Sequence, residues 1–148
     1  MGVRMTLAHI NWLAVLVSVI VAFVSGGIWF SPRAFYPVWW RAMGHKDGEI
    51  PGAGMSMGIV FGSTFIAVVI QAVTMASIIE LIRTSGVASD FGILDGAATG
   101  LIVGVGIAAA SSLSHRLFGG HGFKVWLLEV SSDVLNLVLM GAILAAWH

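Results

Sequence analysis

The sequence contains no cysteine, a single tyrosine, three prolines and very few charged residues. Without cysteine there are no disulfides, thiolate nucleophiles or cysteine-based metal sites. Charged residues make up 9% of the 148 positions, whereas soluble domains carry about 25%. The seven basic and seven acidic residues balance, so the charge indicates no nucleic-acid partner. A chain with so little charge is not expected to present a surface to water on all sides.

Apolar residues take the place of the missing charge, at 58% of the chain with a mean hydropathy of +0.98. They form four runs, at about residues 10–30, 55–82, 92–113 and 123–147. Each run has the roughly 20 residues that a helix needs to cross a bilayer. Only helices and closed barrels satisfy their backbone polar groups in lipid, and strand-like alternation is absent. We predict an all-α membrane protein, a single domain over residues 1–148 whose four transmembrane helices pack as a small bundle in the lipid bilayer.

The first run is also compatible with a secretory signal, because Arg4 precedes it. Its length and the lack of an A-x-A-like cleavage site favour a retained helix. Five of the seven basic residues accompany the two connections at 31–54 and 114–122, and the other two are Arg4 and Arg83. Because basic residues concentrate in cytoplasmic loops, we expect both connections in the cytoplasm of a bacterial inner-membrane protein. Both termini are then predicted to lie outside.

Aromatic residues are dense in the longest connection, which follows the first run. Tyr36, Trp39 and Trp40 lie there beside Arg33 and Arg41. Amphipathic rings favour the depth of the lipid headgroups, so we expect an interfacial anchor. A lid or a docking surface is the alternative function of this segment.

Glycines recur at every fourth position in the second and third runs. The two series are Gly54, Gly58, Gly62 and Gly92, Gly96, Gly100, Gly104. Residues four apart share one helix face, so each series forms a groove that another backbone can approach closely. We expect these faces to pack against helices of the same chain or, as the alternative, against a second copy in a homo-oligomer.

The fourth run carries two acids, Glu129 and Asp133, followed by Asn136. Spacings of four and three place these side chains on one helix face. At 1.5 Å per residue, Asp133 lies near the membrane centre, where a charge costs about 2.5–3.5 kcal/mol. This polar face is therefore expected to turn away from lipid.

Two interpretations of this face remain open. In the first, it lines a polar pathway in which a carboxyl group binds and releases a proton or a cation. In the second, Glu129 pairs with Arg116 or His115, and Asp133 fixes the helix contacts through a hydrogen bond to one of three residues, Gln71, Ser77 or Thr99.

Two further acids, Glu80 and Asp95, lie near the ends of the second and third runs. Arg83 follows Glu80 by one helical turn, so a solvated pair at the helix end is the simpler interpretation. If both acids instead face inward, they extend the pathway of Asp133 toward the other side of the membrane.

The sequence contains no recognisable motif for binding a cofactor. No pair of histidines or of Glu and His has metal-ligand spacing on one helix, and no glycine-rich loop follows a strand. We therefore expect no cofactor and no metal. An enzyme is the least favoured class, because no nucleophile and base can be paired.

The first and last runs contain three further motifs, which are Asn11-Trp12, the aromatic-Ser-Pro stop of Trp29 to Pro32, and the Met-Gly-Ala-Ile-Leu finish of Met140 to Leu144. In these motifs the chain resembles the small bacterial membrane proteins of the domain of unknown function 1761 family. The resemblance implies a four-helix integral membrane protein and supplies no activity. Asn11 and Asn136, polar residues inside two of the expected helices, are then candidates for a shared structural or binding role.

Overall fold

The structure is a computed structural model that describes residues 9–52, 54–87 and 90–147. In these ranges the longer elements are all helical. They are α1 (Trp12–Trp29), α2 (Tyr36–Ala42), α3 (Met57–Thr84), α4 (Ile93–Val103), a π-helical segment (Gly104–Ala109), α5 (Ala110–Phe118) and α6 (Gly122–Ala146). Since α4, the π segment and α5 run on without a break, Ile93–Phe118 is one span. The predicted all-α architecture with four membrane-length helices is confirmed.

Three of the four spans end within two residues of their predicted limits, and the third runs five residues further, to Phe118. Arg116 therefore lies in the last turn of α5, not in a loop as predicted. A cation in a last helical turn interacts favourably with the free carbonyl groups there. Successive spans run in opposite directions, so the bundle has an α2 end and an opposite end, where α1 begins and α6 finishes.

α6 is the central helix and contacts each of the others. Its closest neighbour is α4, because Gly96 and Gly100 let the two backbones meet. A Cβ atom built on Gly96 would overlap the carbonyl oxygen of Gly141, and one on Gly100 would overlap that of Leu137. Gly104 continues this contact at Val134. Three of the glycines in the second series therefore act as the small residues that close membrane packing requires.

The first glycine series has no such contact. Gly54 lies outside the helix, in a turn with φ of +85°. A Cβ atom on Gly62 would have open space around it, and one on Gly58 would only approach Ser56. Within the described part of the chain this series receives no other backbone, and its packing against a second copy stays a prediction.

The π-helical segment is tied to α6 by Trp126. The indole N–H of Trp126 donates to the carbonyl oxygen of Ala109 and to the hydroxyl oxygen of Ser112, each at 3.2 Å. A π turn shifts the register of backbone hydrogen bonds and alters which carbonyl groups are available. Because Trp126 bridges this turn, it fixes the direction in which α5 continues toward Arg116.

The buried core lies toward the end of the bundle opposite α2. It contains Leu137, Met140 and Leu144 of α6, with residues of α1 and α3 around them. The first buried residue of α3 is Val68, and all of residues 57–67 are exposed or partly exposed. The half of α3 nearest α2 is therefore packed far less closely than its second half.

Candidate functional site

Glu129 is held by two different elements. Its Oε2 atom lies 2.6 Å from Nε of Arg116 in α5, and its Oε1 atom accepts a hydrogen bond of 2.9 Å from the indole N–H of Trp39 in α2. The Glu129 side chain is only 18% exposed. Charge-assisted bonds of this length are strong. Of the two cations considered for Glu129, the structure places Arg116 against it, whereas His115 is exposed and does not contact it.

Asp133 differs from Glu129, one turn away, in both exposure and contacts. Its side chain is exposed, and it has no hydrogen bond or ion pair with any residue in the described ranges. Asp133 nevertheless lies on the stripe of α6 that continues through Leu137, Met140 and Leu144, which are all buried. Near those three residues α3 contributes to the core, whereas toward Asp133 the side chains of α3 are not buried. Asp133 therefore continues this inward stripe of α6 at a level where the side chains of α3 are not buried.

The hydrogen-bond partners predicted for Asp133 are wrong. The hydroxyl groups of Ser77 and Thr99 instead donate to carbonyl oxygens of their own helices, those of Val73 and Asp95. Gln71 also makes no bond to Asp133. A serine or threonine hydroxyl in a helix reaches the carbonyl oxygen four residues earlier without any movement of the backbone. That local bond satisfies the hydroxyl and leaves Asp133 without these partners.

Asn136 lies one turn beyond Asp133 and is buried, at 8% exposure. It faces α1, because a Cβ atom on Gly26 would lie 3.8 Å from its Nδ2 atom. Its Oδ1 atom and the hydroxyl oxygen of Ser18 in α1 are both buried without a hydrogen-bond partner among the described residues. The interior of the bundle therefore contains free oxygen acceptors on the side of Asp133 away from α2.

The aromatic residues of α2 pack more tightly than a simple interfacial anchor requires. Trp40 is buried at 4%, stacks on His45 with centroids 3.9 Å apart, and donates its indole N–H to the Lys46 carbonyl oxygen. Tyr36 stacks on Trp40, and Trp39 is bonded to Glu129. This aromatic cluster fixes α2 across the end of α6, beside Glu129.

The acids at the opposite end are not joined to Asp133. Asp95 accepts a 2.9 Å hydrogen bond from the Gly92 N–H and thereby caps α4. Arg83 donates to the carbonyl oxygen of Ala145 at 2.6 Å and lies over the Phe91 ring. It makes no ion pair with Glu80, so the predicted pair at the helix end is wrong.

Glu80 and Arg83 instead line one cavity of about 120 Å³ at this end. The remaining lining residues are His9, Ile10, Asn11, Ala76, Ile79, Leu144 and Trp147. Asn11 is the N-cap of α1, since its Oδ1 atom accepts from the N–H groups of Leu13 and Ala14. It therefore lies at the start of α1 and not inside a helix as expected, and its carboxamide oxygen has a structural task.

The predicted site residues thus fall into two groups. Glu129, Asp133 and Asn136 lie together on α6, with Arg116 and the α2 aromatic cluster around the first of them. Glu80, Arg83 and Asn11 lie at the other end. No sequence pattern predicted the bond between Trp39 and Glu129. The two residues lie 90 positions apart in the sequence, so their pairing depends on how α2 packs on α6.

Four membrane-length helices that pack around α6 define a small polytopic membrane protein. The model of a family described as "Protein of unknown function (DUF1761)" matches residues 13–145. The chain belongs to this family. Comparisons with curated proteins and with solved structures found no match.

Proposed function

We propose that this protein is a small transport or permeation protein that binds a proton or a monovalent cation at Asp133. The observation that carries the proposal is the difference between the two neighbouring acids. Glu129 is neutralised by Arg116 and bonded to Trp39. Asp133 is exposed and lacks both kinds of partner in the described chain.

The energetics favour an occupant for this carboxylate. Asp133 is the twelfth residue of α6, so it lies about 16 Å along that helix and near the middle of the span. An uncompensated charge at this depth costs about 2.5–3.5 kcal/mol on insertion scales. A bound proton or cation offsets that cost. A transported proton or cation would provide this compensation reversibly, because it binds and then leaves.

The surroundings give this species an entrance at the α2 end. The half of α3 nearest α2 is sparsely packed, and an opening between it and α6 would let water reach the carboxylate. Farther along the bundle, Asn136 Oδ1 and the Ser18 hydroxyl are free acceptors. Carboxylate, amide and hydroxyl oxygens are the ligands that alkali cations and protons use in membrane pathways.

Beyond these acceptors the interior is closed by Met75 and Met140, which are at most 1% exposed. Access from the other side therefore requires a movement of α3 relative to α6. Methionine suits such a barrier, because its flexible side chain repacks easily. The edge contact between Phe23 of α1 and Phe65 of α3, with centroids 5.7 Å apart, is the contact that such a movement would change.

The test is flux through purified protein in proteoliposomes. A pH, sodium or potassium gradient is imposed, proton movement is followed with an internal pH-sensitive dye, and sodium or potassium movement with an internal dye selective for that cation. We expect Asp133→Asn to abolish flux, because an amide binds neither a proton nor a cation as a carboxylate does. Glu49→Gln is the matched control, because Glu49 is an exposed acid paired with His45 outside the spans.

Two results would contradict this function. Asp133→Asn protein that conducts or exchanges like the parent would remove Asp133 from the mechanism. Parent protein that moves no ion under any of the three gradients would favour the second candidate, a structural or interaction protein without transport.

The second candidate is supported by the bonds of Glu129, which join α2, α5 and α6. In this alternative the polar groups fix helix contacts, within one copy or in a homo-oligomer. Glu129→Gln combined with Asp133→Asn would then lower thermal stability or change the oligomer size, and there would be no flux to lose.

The proposed location is the bacterial inner membrane, with α2 on the cytoplasmic side and both termini outside. The support is the distribution of basic residues, which favours the α2 end by five to two. In this orientation the entrance to Asp133 opens to the cytoplasm.

A further inference from the structure

The cavity between the start of α1 and the ends of α3 and α6 contains two opposite charges that are not paired with each other. Glu80 and Arg83 are three residues apart on α3, so their Cβ atoms are separated by about 5–6 Å. Two such side chains are near enough to pair directly. They nevertheless form no ion pair and instead line the same cavity.

The contacts of Arg83 explain why it does not turn to Glu80. One Nη atom donates to the Ala145 carbonyl oxygen, and the guanidinium lies 5.8 Å from the Phe91 ring centre. These contacts hold the guanidinium between α6 and the start of α4. Its remaining N–H groups are available for a carboxylate, which guanidinium binds well. Glu80 has no side-chain partner in the described chain and remains an acceptor.

The rest of the lining is mostly apolar. Ile10, Ala76, Ile79 and Leu144 form the inner wall, and Trp147 and His9 lie with them. The volume of about 120 Å³ compares with the roughly 150 Å³ of an engineered cavity that binds benzene. The space therefore fits about five or six non-hydrogen atoms, the size of glycine or alanine.

We propose that this cavity binds a small zwitterion of the amino-acid type. Its ammonium group would contact the Glu80 carboxylate, its carboxylate would contact the Arg83 guanidinium, and its short apolar part would lie against Ala76 and Ile79. A ligand with both charges pairs with both side chains at once. A simple cation would be repelled by Arg83, and a simple anion would be repelled by Glu80. This site is separate from Asp133 and does not depend on any transport by it.

The test is equilibrium binding to the full-length protein in detergent, by calorimetry and by the shift in Tm. Glycine and alanine are the probes. Acetate and methylammonium are the matched fragments, since each has only one of the two charges. We expect glycine or alanine to bind at least tenfold more tightly than either fragment. Glu80→Gln should weaken this binding at least tenfold.

Arg83 also bonds to the last turn of α6, so its removal can unfold that end of the protein. Arg83→Lys retains a cation and should weaken glycine binding while the protein remains folded. Asp95→Asn is the control at the same end of the bundle, because Asp95 caps α4 and does not line the cavity. The Asp95→Asn protein should bind glycine with the same affinity as the parent protein.

Three outcomes would overturn the proposal. The first is parent protein that binds neither glycine nor alanine. The second is methylammonium or acetate binding as tightly as the zwitterions, which would indicate a simple ion site. The third is Glu80→Gln protein that binds glycine as tightly as the parent.

Discussion

The carboxylate of Glu129 and the guanidinium of Arg116 are 2.6 Å apart, and this ion pair joins the fourth span to the third at the α2 end. The same carboxylate accepts the indole N–H of Trp39. The pair therefore connects three elements through one side chain. Asp133, one turn along α6, is left as the carboxylate that can take another partner.

Removal of either partner of this pair should destabilise the protein. We expect Glu129→Gln and Arg116→Gln each to lower the free energy of unfolding by about 1.5–3 kcal/mol, the usual contribution of a hydrogen bond to a charged group. The measurement is reversible unfolding in detergent, combined as a double-mutant cycle. The double variant should lose less than the sum of the two single losses. Additive losses would indicate that the two groups do not interact.

Gly100 contacts another helix backbone, whereas Gly62 has open space around it, so the two glycines can be compared by the same substitution. Gly100→Ala should destabilise by about 1–3 kcal/mol, because its methyl group would meet the Leu137 backbone and force α4 away from α6. Gly62→Ala should be neutral or slightly stabilising, because its methyl group meets nothing within 4 Å. The measurement is the thermal stability of the two variants and of the parent protein in the same detergent. Equal stability losses would contradict the α4–α6 contact, and a large loss for Gly62→Ala would indicate a second copy at that face.

The orientation can be tested directly, because the native chain has no cysteine. Ile50 and Val87 are matched apolar residues in loops at opposite ends, with exposures of 80% and 85%. In intact cells, Val87→Cys should react with a membrane-impermeant thiol reagent, and Ile50→Cys should react only after the membrane is opened. The reverse pattern would place α2 outside and move the proposed entrance of Asp133 to that side.

The four spans could be predicted from the sequence because length and apolarity alone decide membrane crossing. The close approach at Gly96 and Gly100 was also expected, since small residues at every fourth position favour it. The exposure of Asp133 could not be predicted, because it depends on the level at which α3 stops packing closely against the other helices. That path depends on the packing of Val68 and later residues around Met140, and no local pattern encodes it.

The partners of the charged groups were predicted less well than the helices. Arg116 could be proposed for Glu129 because both lie near the same turn between the third and fourth spans. Arg83 was expected at Glu80, its neighbour in sequence, but it bonds to Ala145. The free carbonyl groups at the end of α6 are strong acceptors, and a sequence pattern does not reveal which helix end lies beside a given arginine.

The most direct test of the account is the reactivity of a cysteine at position 133. Asp133→Cys and Leu135→Cys are a matched pair, since both native side chains are exposed but lie on different faces of α6. Thiols react as thiolates, which form in water and not in hydrocarbon. If Asp133 faces a water-filled opening at the α2 end, Asp133→Cys will react with a water-soluble reagent supplied from that side and Leu135→Cys will not. Equal reactivity of the two cysteines, or no reaction at position 133, would contradict the account.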